Sequence, residues 1–145
     1  MLIRIGGNAN LSQHELACNT GDDVLFSNIR ASTRRGLPHV RPRKPTKQIA
    51  VICGGGASLA GSLESIRILQ ATGAKVYALN NAARFLSDHG ITADVQIIVD
   101  SRASNARFLA ESAYAEAYLA SQCAPEIYDA ALRAGYKVSI YHGLI

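Results

Sequence analysis

Three consecutive glycines, followed by Ala57 and Ser58, are the strongest indication of a binding site in this sequence. Glycine permits positive φ and lets a ligand approach the backbone without obstruction by a Cβ atom. An apolar run precedes the glycines and a helical pattern follows them, and free N–H groups at the start of a helix favour phosphate. We therefore predict that Gly54, Gly55, Gly56 and Ser58 contact a ligand. The alternative is a tight turn in which Ser58 only caps the helix.

This loop matches neither of two common phosphate-binding motifs. The dinucleotide fingerprint needs a further glycine where Leu59 stands, and an acidic residue after the second strand, where Asn80 and Asn81 stand. A Walker loop needs Gly-Lys-Ser/Thr, and residues 49–69 contain no lysine. Asn80 and Asn81 are candidates to bind a ribose or base; the equal alternative is that they cap the next helix.

Two acidic residues bracket the third predicted strand, Asp94 before it and Asp100 after it. Asp100 would share the edge of the glycine loop, where a carboxylate could bind Mg²⁺ beside phosphates or accept from a sugar hydroxyl. Arg102 would neutralise a phosphate or pair with Asp100 itself. Asp100 and Arg102 are thus the candidate catalytic residues, with Asp100 also the candidate metal ligand. The alternative is a helix cap with a surface ion pair, and Asp94 is expected to have only a capping or loop role.

Two more reactive side chains follow the last two predicted strands. Cys123 has no activating base nearby in sequence, which favours a buried structural thiol. His142 is either an acid–base group that reaches the same cleft or a surface histidine.

Strand and helix patterns alternate five times after residue 48. Short apolar runs predict strands, and patterns with helical spacing between them predict helices. Such alternation is typical of a parallel sheet with right-handed crossovers. We predict an α/β, Rossmann-like three-layer sandwich with strand order 3-2-1-4-5. The predicted strands are residues 49–53, 75–79, 95–99, 117–120 and 137–141, and the predicted helices are residues 59–72, 82–89, 103–112 and 125–134.

Charge divides the chain into two parts. Residues 1–47 hold eight Lys/Arg and three Asp/Glu, whereas residues 48–145 hold seven and eight. We predict a basic, partly extended N-terminal segment (1–47), with a short helix at residues 12–18, and a Rossmann-like domain (48–145). Because the basic excess lies outside the domain, nucleic acid is an unlikely partner.

Three widely spaced cysteines suit a reducing compartment, and the longest apolar runs are too short for a bilayer, so we expect a cytoplasmic protein without a membrane partner. The sequence leaves open whether copies of the chain form a homo-oligomer.

Four segments resemble the 6-hydroxymethylpterin diphosphokinase MptE-like family, which includes phage proteins of unknown role and is similar to the motility accessory factor glycosyltransferases. They are VICGGGASL at 51–59, ALNNAARFL at 78–86, GITAD at 90–94 and VD at 99–100. The family pattern has proline where Ala57 and Ala93 stand here. The resemblance implies a transferase that binds a nucleotide (ATP) or a nucleotide-sugar (CMP-sugar) as substrate, for diphosphoryl or glycosyl transfer. Since relatives carry further elements after the fifth strand, it also implies a truncated or reduced member. The alternative is a non-catalytic phage or prophage interaction module.

Overall fold

The computed structural model describes residues 20–42, 44–109 and 116–143. Five parallel strands form one sheet, in the order β1-β2-β3-β4-β5. The strands are β1 (Ala50–Cys53), β2 (Lys75–Leu79), β3 (Val95–Ile98), β4 (Glu116–Ala120) and β5 (Lys137–Tyr141). The α/β class and the five parallel strands are as predicted from the sequence.

The predicted strand order, 3-2-1-4-5, is wrong. It placed β1 in the centre of the sheet, whereas β1 is an edge strand paired only with β2 among the described strands. The burial of the strands fits the observed order, because Ala50 and Ile52 of β1 are exposed while three of the four residues of the central β3 are buried. Alternation of strands and helices predicts parallel pairing but does not specify which strands are neighbours.

The sequential order places the described helices on one face of the sheet. Each crossover moves one strand in the same direction, and right-handed crossovers of that kind return over the same face. The helices of these crossovers are α2 (Leu63–Ala71), α3 (Ala82–Asp88) and α4 (Pro125–Arg133), with 3₁₀ helices at Ala57–Ser62 and Ala103–Phe108. The described residues therefore account for two of the three predicted layers.

Two apolar clusters fill the space between this face and the helices. One joins β1 and β2 to α2 and α3, and includes Val76, Ala78 and Leu86. The other surrounds α4, and includes Leu119 and Ile127. The two clusters divide the domain into a β1–β2 half and a β4–β5 half.

One helix was not predicted from the sequence. Helix α1 (Asp22–Thr33) packs against α4, and its residues Leu25, Asn28 and Ser32 are buried. An ion pair between Arg35 and Asp129, 2.7 Å apart, holds the end of this segment on α4.

The chain after α1 runs extended beside β5. Pro38 O accepts from Ile140 N and Val40 N donates to Ile140 O, both at 2.8 Å, so residues 38–40 cover the outer edge of β5. The predicted helix at residues 12–18 and the end of the one at 103–112 lie outside the described residues. In the part of the chain that the structure describes, no helix has the length and hydropathy that a bilayer crossing requires.

Candidate functional site

The carboxyl ends of the strands place the candidate residues on one rim of the sheet. The glycine loop follows β1, Asn80 and Asn81 follow β2, and Asp100 follows β3 after one intervening residue. Since neighbouring strands lie about 4.8 Å apart, the ends of β1 and β3 are separated by roughly 10 Å. The loop and Asp100 therefore share a rim, as the sequence predicts for a parallel sheet.

The fold does not require the three glycines. None of Gly54, Gly55 and Gly56 has positive φ; the described glycines that do are at positions 36, 73, 90 and 135. A Cβ atom on any of the three would meet no atom of the described residues within 4 Å, and all three glycines are exposed. Neither backbone conformation nor packing thus accounts for three glycines in a row.

A cavity of about 190 Å³ opens beside the loop. It lies between the glycine loop and the start of α3. Its lining residues are Gly55, Gly56, Ala57, Leu59, Ala60, Asn81, Ala82 and Phe85. Of the predicted site residues, the cavity brings together Gly55, Gly56 and Asn81. The other predicted residues, Gly54, Ser58, Asn80, Asp100 and Arg102, are not among its lining residues.

Phe85 is the largest of the lining residues that the sequence analysis did not predict. It lies four residues after Asn81, so the two side chains share one side of the first turn of α3. Its ring also contacts the His89 ring, with centroids 4.3 Å apart. The four-residue spacing from a candidate ligand residue was the signal that could have identified it.

The two asparagines have different roles. Asn80 has φ of 46°, a left-handed conformation that asparagine tolerates better than most residues. Its Oδ1 accepts from Val99 N at 3.4 Å, and its carbonyl accepts from the Gln96 side chain at 3.1 Å. Asn80 therefore joins the ends of β2 and β3, whereas the exposed Asn81 lines the cavity and makes no side-chain cap to α3.

Ser58 does not cap its helix. The 3₁₀ helix at Ala57–Ser62 begins after Gly56 and has no side-chain cap. The backbone carbonyl of Ser58 accepts from Ser62 Oγ at 2.9 Å, while the residue itself is exposed. The capping alternative for Ser58 is thus not observed.

Asp100 is paired with Arg102 rather than free. Its Oδ1 accepts from the backbone N and from Nε of Arg102, both at 3.0 Å, and Nη2 of Arg102 binds the other oxygen. These hydrogen bonds, above all those of the side chain, lower the pKa of Asp100 to about 2. The carboxylate is therefore fully charged at neutral pH and far from the pKa of an efficient general base.

The side chains that could coordinate a metal ion give little support to the expected magnesium site. Among the described residues, no three His, Cys, Asp or Glu side chains are grouped so as to hold a metal ion. Asp100, the one carboxylate that the described residues place on this rim of β1–β3, already binds a guanidinium. These residues do not fit a resident metal ion, and we derive no step through one.

The remaining candidates lie away from the loop. Asp94 is at the amino end of the sheet, where its Oδ2 accepts from Val76 N at 2.8 Å. Cys123 is fully buried, and burial raises the pKa of its thiol to about 12. His142 is exposed and stacks on His39, with ring centroids 5.2 Å apart.

Helix α1 closes the other half of the rim. Asn28 Nδ2 donates to the carbonyls of Ser101 and Gln122, at 3.4 and 3.0 Å. Ser32 Oγ donates to the carbonyl of Ser121 at 2.8 Å. The backbone after β4, which in an open rim would face a ligand or water, is satisfied by these two side chains.

The fold and this rim together define a Rossmann-like α/β domain in which the glycine loop is exposed. A similar solved structure is that of the MAf glycosyltransferase from Magnetospirillum magneticum AMB-1, with a TM-score of 0.60 and 20% sequence identity. The match covers 90% of this chain and 21% of that one, so the chain spans about a fifth of that protein. No protein-family model and no curated protein matches the sequence. The likeness shows the fold, and the resemblance to the MptE-like family stays a prediction.

Proposed function

We propose that this domain binds a nucleotide or nucleotide-sugar at the glycine loop, as the donor-binding part of a transferase. The observation that carries the proposal is that three exposed glycines occupy positions where the fold would accept any small side chain. A ligand whose phosphates lie against the loop backbone would explain them, because a Cβ atom would obstruct that approach. Ligands of open α/β sheets bind at this carboxyl edge.

The cavity has the chemistry that a nucleotide needs. Backbone N–H groups at the start of the 3₁₀ helix lack partners within the helix and suit a phosphate. Asn81 can hydrogen-bond a ribose or base, and Phe85 offers an aromatic ring to a base. In this proposal any magnesium would arrive bound to the nucleotide phosphates, with Asp100 near the transferred group.

The transferase activity rests on two likenesses. One is the resemblance of the four segments to the MptE-like family, and the other is the shared fold with a MAf glycosyltransferase. Asp100 would act through its charge and hydrogen bonds, since a carboxyl with a pKa of about 2 is a poor proton acceptor at neutral pH. It would orient a hydroxyl of the bound donor rather than remove a proton from it.

Isothermal titration with CMP, CTP, ATP and GTP tests the binding. We expect at least one nucleotide to bind at or below millimolar concentration. The double variant Gly55→Ala/Gly56→Ala should weaken that binding by about tenfold or more, equivalent to about 1.4 kcal/mol. Its free energy of unfolding should stay the same or rise by about 0.4–1 kcal/mol, because alanine restricts the unfolded chain.

Gly61→Ala is the matched control. Gly61 is exposed, and its Cβ atom would also meet nothing within 4 Å, but it does not line the cavity. Its substitution should leave nucleotide affinity unchanged. The proposal fails if no nucleotide binds at millimolar concentration, or if the double variant binds as tightly as the wild type.

A second candidate, a binding module without catalysis, is favoured by the pairing of Asp100. The Arg102 guanidinium already occupies both carboxylate oxygens. If Asp100→Ala binds nucleotide like the wild type, and neither protein hydrolyses or transfers from a CMP-sugar, the non-catalytic function is the better account.

A further inference from the structure

A buried glutamine lies in the central strand of the sheet. Gln96 of β3 is 1% exposed, and its side chain lies on the helix-covered face, like that of Ala78, its partner on β2. An amide buried among apolar side chains costs free energy unless its donor and acceptor atoms are paired. The partners of Gln96 therefore show what this side chain holds in place.

The side-chain amide of Gln96 joins three separate segments of the chain. Its Nε2 donates to the carbonyl of Asn80 at 3.1 Å and to that of Phe108 at 2.6 Å. Its Oε1 accepts from the hydroxyl of Tyr136 at 2.9 Å. Asn80 directly follows β2, and Phe108 ends the 3₁₀ helix that comes after Asp100. The glutamine thus connects the segment beside the cavity to the segment that follows Asp100.

Asn80 is the one residue other than glycine with a positive φ among the described residues. Such outliers persist where the surrounding structure holds them, and they cluster at functional sites. Asn80 N donates to Ile97 O at 2.8 Å, and Asn80 Oδ1 accepts from Val99 N at 3.4 Å. The third bond, from Gln96 to the Asn80 carbonyl, is the only one of the three that a side chain of β3 makes. Gln96 therefore helps to fix the left-handed turn.

This turn determines where one wall of the cavity lies. Strand β2 ends at Leu79 and α3 begins at Ala82, so only Asn80 and Asn81 connect them. With two connecting residues, a change in φ at Asn80 moves Asn81 and the first turn of α3. That turn includes Phe85, and both Asn81 and Phe85 line the cavity.

We propose that Gln96 is a positioning residue for the nucleotide site: it holds Asn80 in its left-handed conformation and so directs Asn81 and Phe85 towards the ligand. The inference rests on the proposed function, because it concerns the same cavity. Gln96 does not touch the ligand, since it is buried and is not among the lining residues. A glutamine with only a structural role would affect stability and leave the contribution of Asn81 to nucleotide affinity unchanged.

A double-mutant cycle on nucleotide affinity tests this role. The nucleotide that the wild type binds best is titrated into Asn81→Ala, Gln96→Met and the double variant. Asn81→Ala should weaken binding by about fivefold, the loss expected for one hydrogen bond. Gln96→Met, with an apolar side chain of similar length, should weaken it by at least as much, because Asn81 is no longer held towards the ligand. In that background Asn81→Ala should cost less than about twofold more, since both residues act through one contact.

Tyr128→Phe is the control for a general loss of stability. Tyr128 is fully buried, and its hydroxyl donates to Ala120 O at 2.9 Å in the β4–β5 half of the domain. Both Gln96→Met and Tyr128→Phe should lower the midpoint of urea unfolding, but only Gln96→Met should weaken nucleotide binding. Equal losses of affinity in the two variants would show general loosening and overturn the proposal.

Substitutions of the partly exposed Asn80 test the same contacts if Gln96→Met does not fold. Glycine adopts a φ of 46° readily, whereas valine does not. Asn80→Val should therefore weaken binding and remove the effect of Asn81→Ala, while Asn80→Gly should retain more of the affinity. Equal affinities of these two variants, or full additivity in the cycle with Gln96→Met, would overturn the positioning role and leave the nucleotide site standing. A wild type that binds no nucleotide would contradict the proposed function, and this inference with it.

Discussion

The two halves of the carboxyl rim are built in opposite ways. Where β4 ends, Asn28 and Ser32 of α1 cover the loop and donate to its carbonyls. Where β1 ends, three glycines are exposed beside a cavity, and no described side chain lies within 4 Å of where their Cβ atoms would be. Both halves belong to one parallel sheet, so the difference comes from the segments that follow or precede the strands.

The comparison separates residues that the fold explains from residues that it does not. In the closed half, each buried polar side chain of α1 has a backbone partner, as buried polar groups require. In the open half, the glycines have neither a conformational nor a packing reason. Function is therefore expected at the open half and stability at the closed half.

The largest expected effect is on stability in the closed half. Asn28→Ala leaves the carbonyls of Ser101 and Gln122 without their side-chain donor, and it should lower the free energy of unfolding by about 1–3 kcal/mol. Urea titration measures this loss. Ser27→Ala, on the exposed side of the same helix, should change stability by less than about 0.5 kcal/mol. Equal effects of the two substitutions would show that α1 does not close the rim.

A smaller effect is expected at acid pH, from Asp100. Its folded pKa of about 2 lies below the ordinary value of 3.8, so the ionised carboxylate stabilises the folded state above about pH 4. That contribution is lost as the pH falls towards 2. The stability difference between the wild type and Asp100→Asn should therefore shrink between pH 4 and pH 2. Because Arg102 is 59% exposed, the difference at neutral pH should be no more than about 1 kcal/mol.

Arg102→Gln is the companion measurement for that prediction. It removes the guanidinium that lowers the pKa of Asp100, so it should abolish most of the same pH dependence. A stability difference between wild type and Asp100→Asn that stays constant from pH 5 to pH 2 would contradict the pairing.

The smallest effect is a change in thiol reactivity. Cys53 precedes the glycine loop and Cys123 lies in the closed half; both are buried, and burial raises the pKa of both thiols. In a Cys18→Ser background, nucleotide should slow the labelling of Cys53 by a thiol reagent and leave that of Cys123 unchanged. Protection of Cys123 alone would instead place the nucleotide at the closed half of the rim and contradict the proposed site.

Much of the open half was predictable from sequence, and much of the closed half was not. The glycine loop, the strands and the position of Asp100 follow from local patterns. The sequence did not decide whether Asn80 binds a ligand or caps a helix. The hydrogen bond that Asn80 accepts from Val99 N forms because β3 lies beside β2, and the local pattern does not predict that neighbour. The strand order itself depends on burial across the whole sheet, which local alternation does not encode.

Helix α1 has a local signal at its start. Gly21 precedes the helix, and the two aspartates of its first turn, Asp22 and Asp23, favour a helix start. Its packing partners lie some 70 to 95 residues away in the sequence. Phe85 carried a local signal, its four-residue spacing from Asn81, but the cavity that it lines forms only where the loop after β1 lies beside α3.

Backbone amide spectra recorded during a nucleotide titration test the central claim most directly. With the nucleotide that binds best, we predict that the amide resonances of Gly54, Gly55, Gly56 and Asn81 shift in proportion to occupancy. Those of Ser121 and Gln122 should stay where they are. Shifts confined to residues beneath α1, or no shifts at the glycines with any of the four nucleotides at millimolar concentration, would contradict a binding site at the open half of the rim.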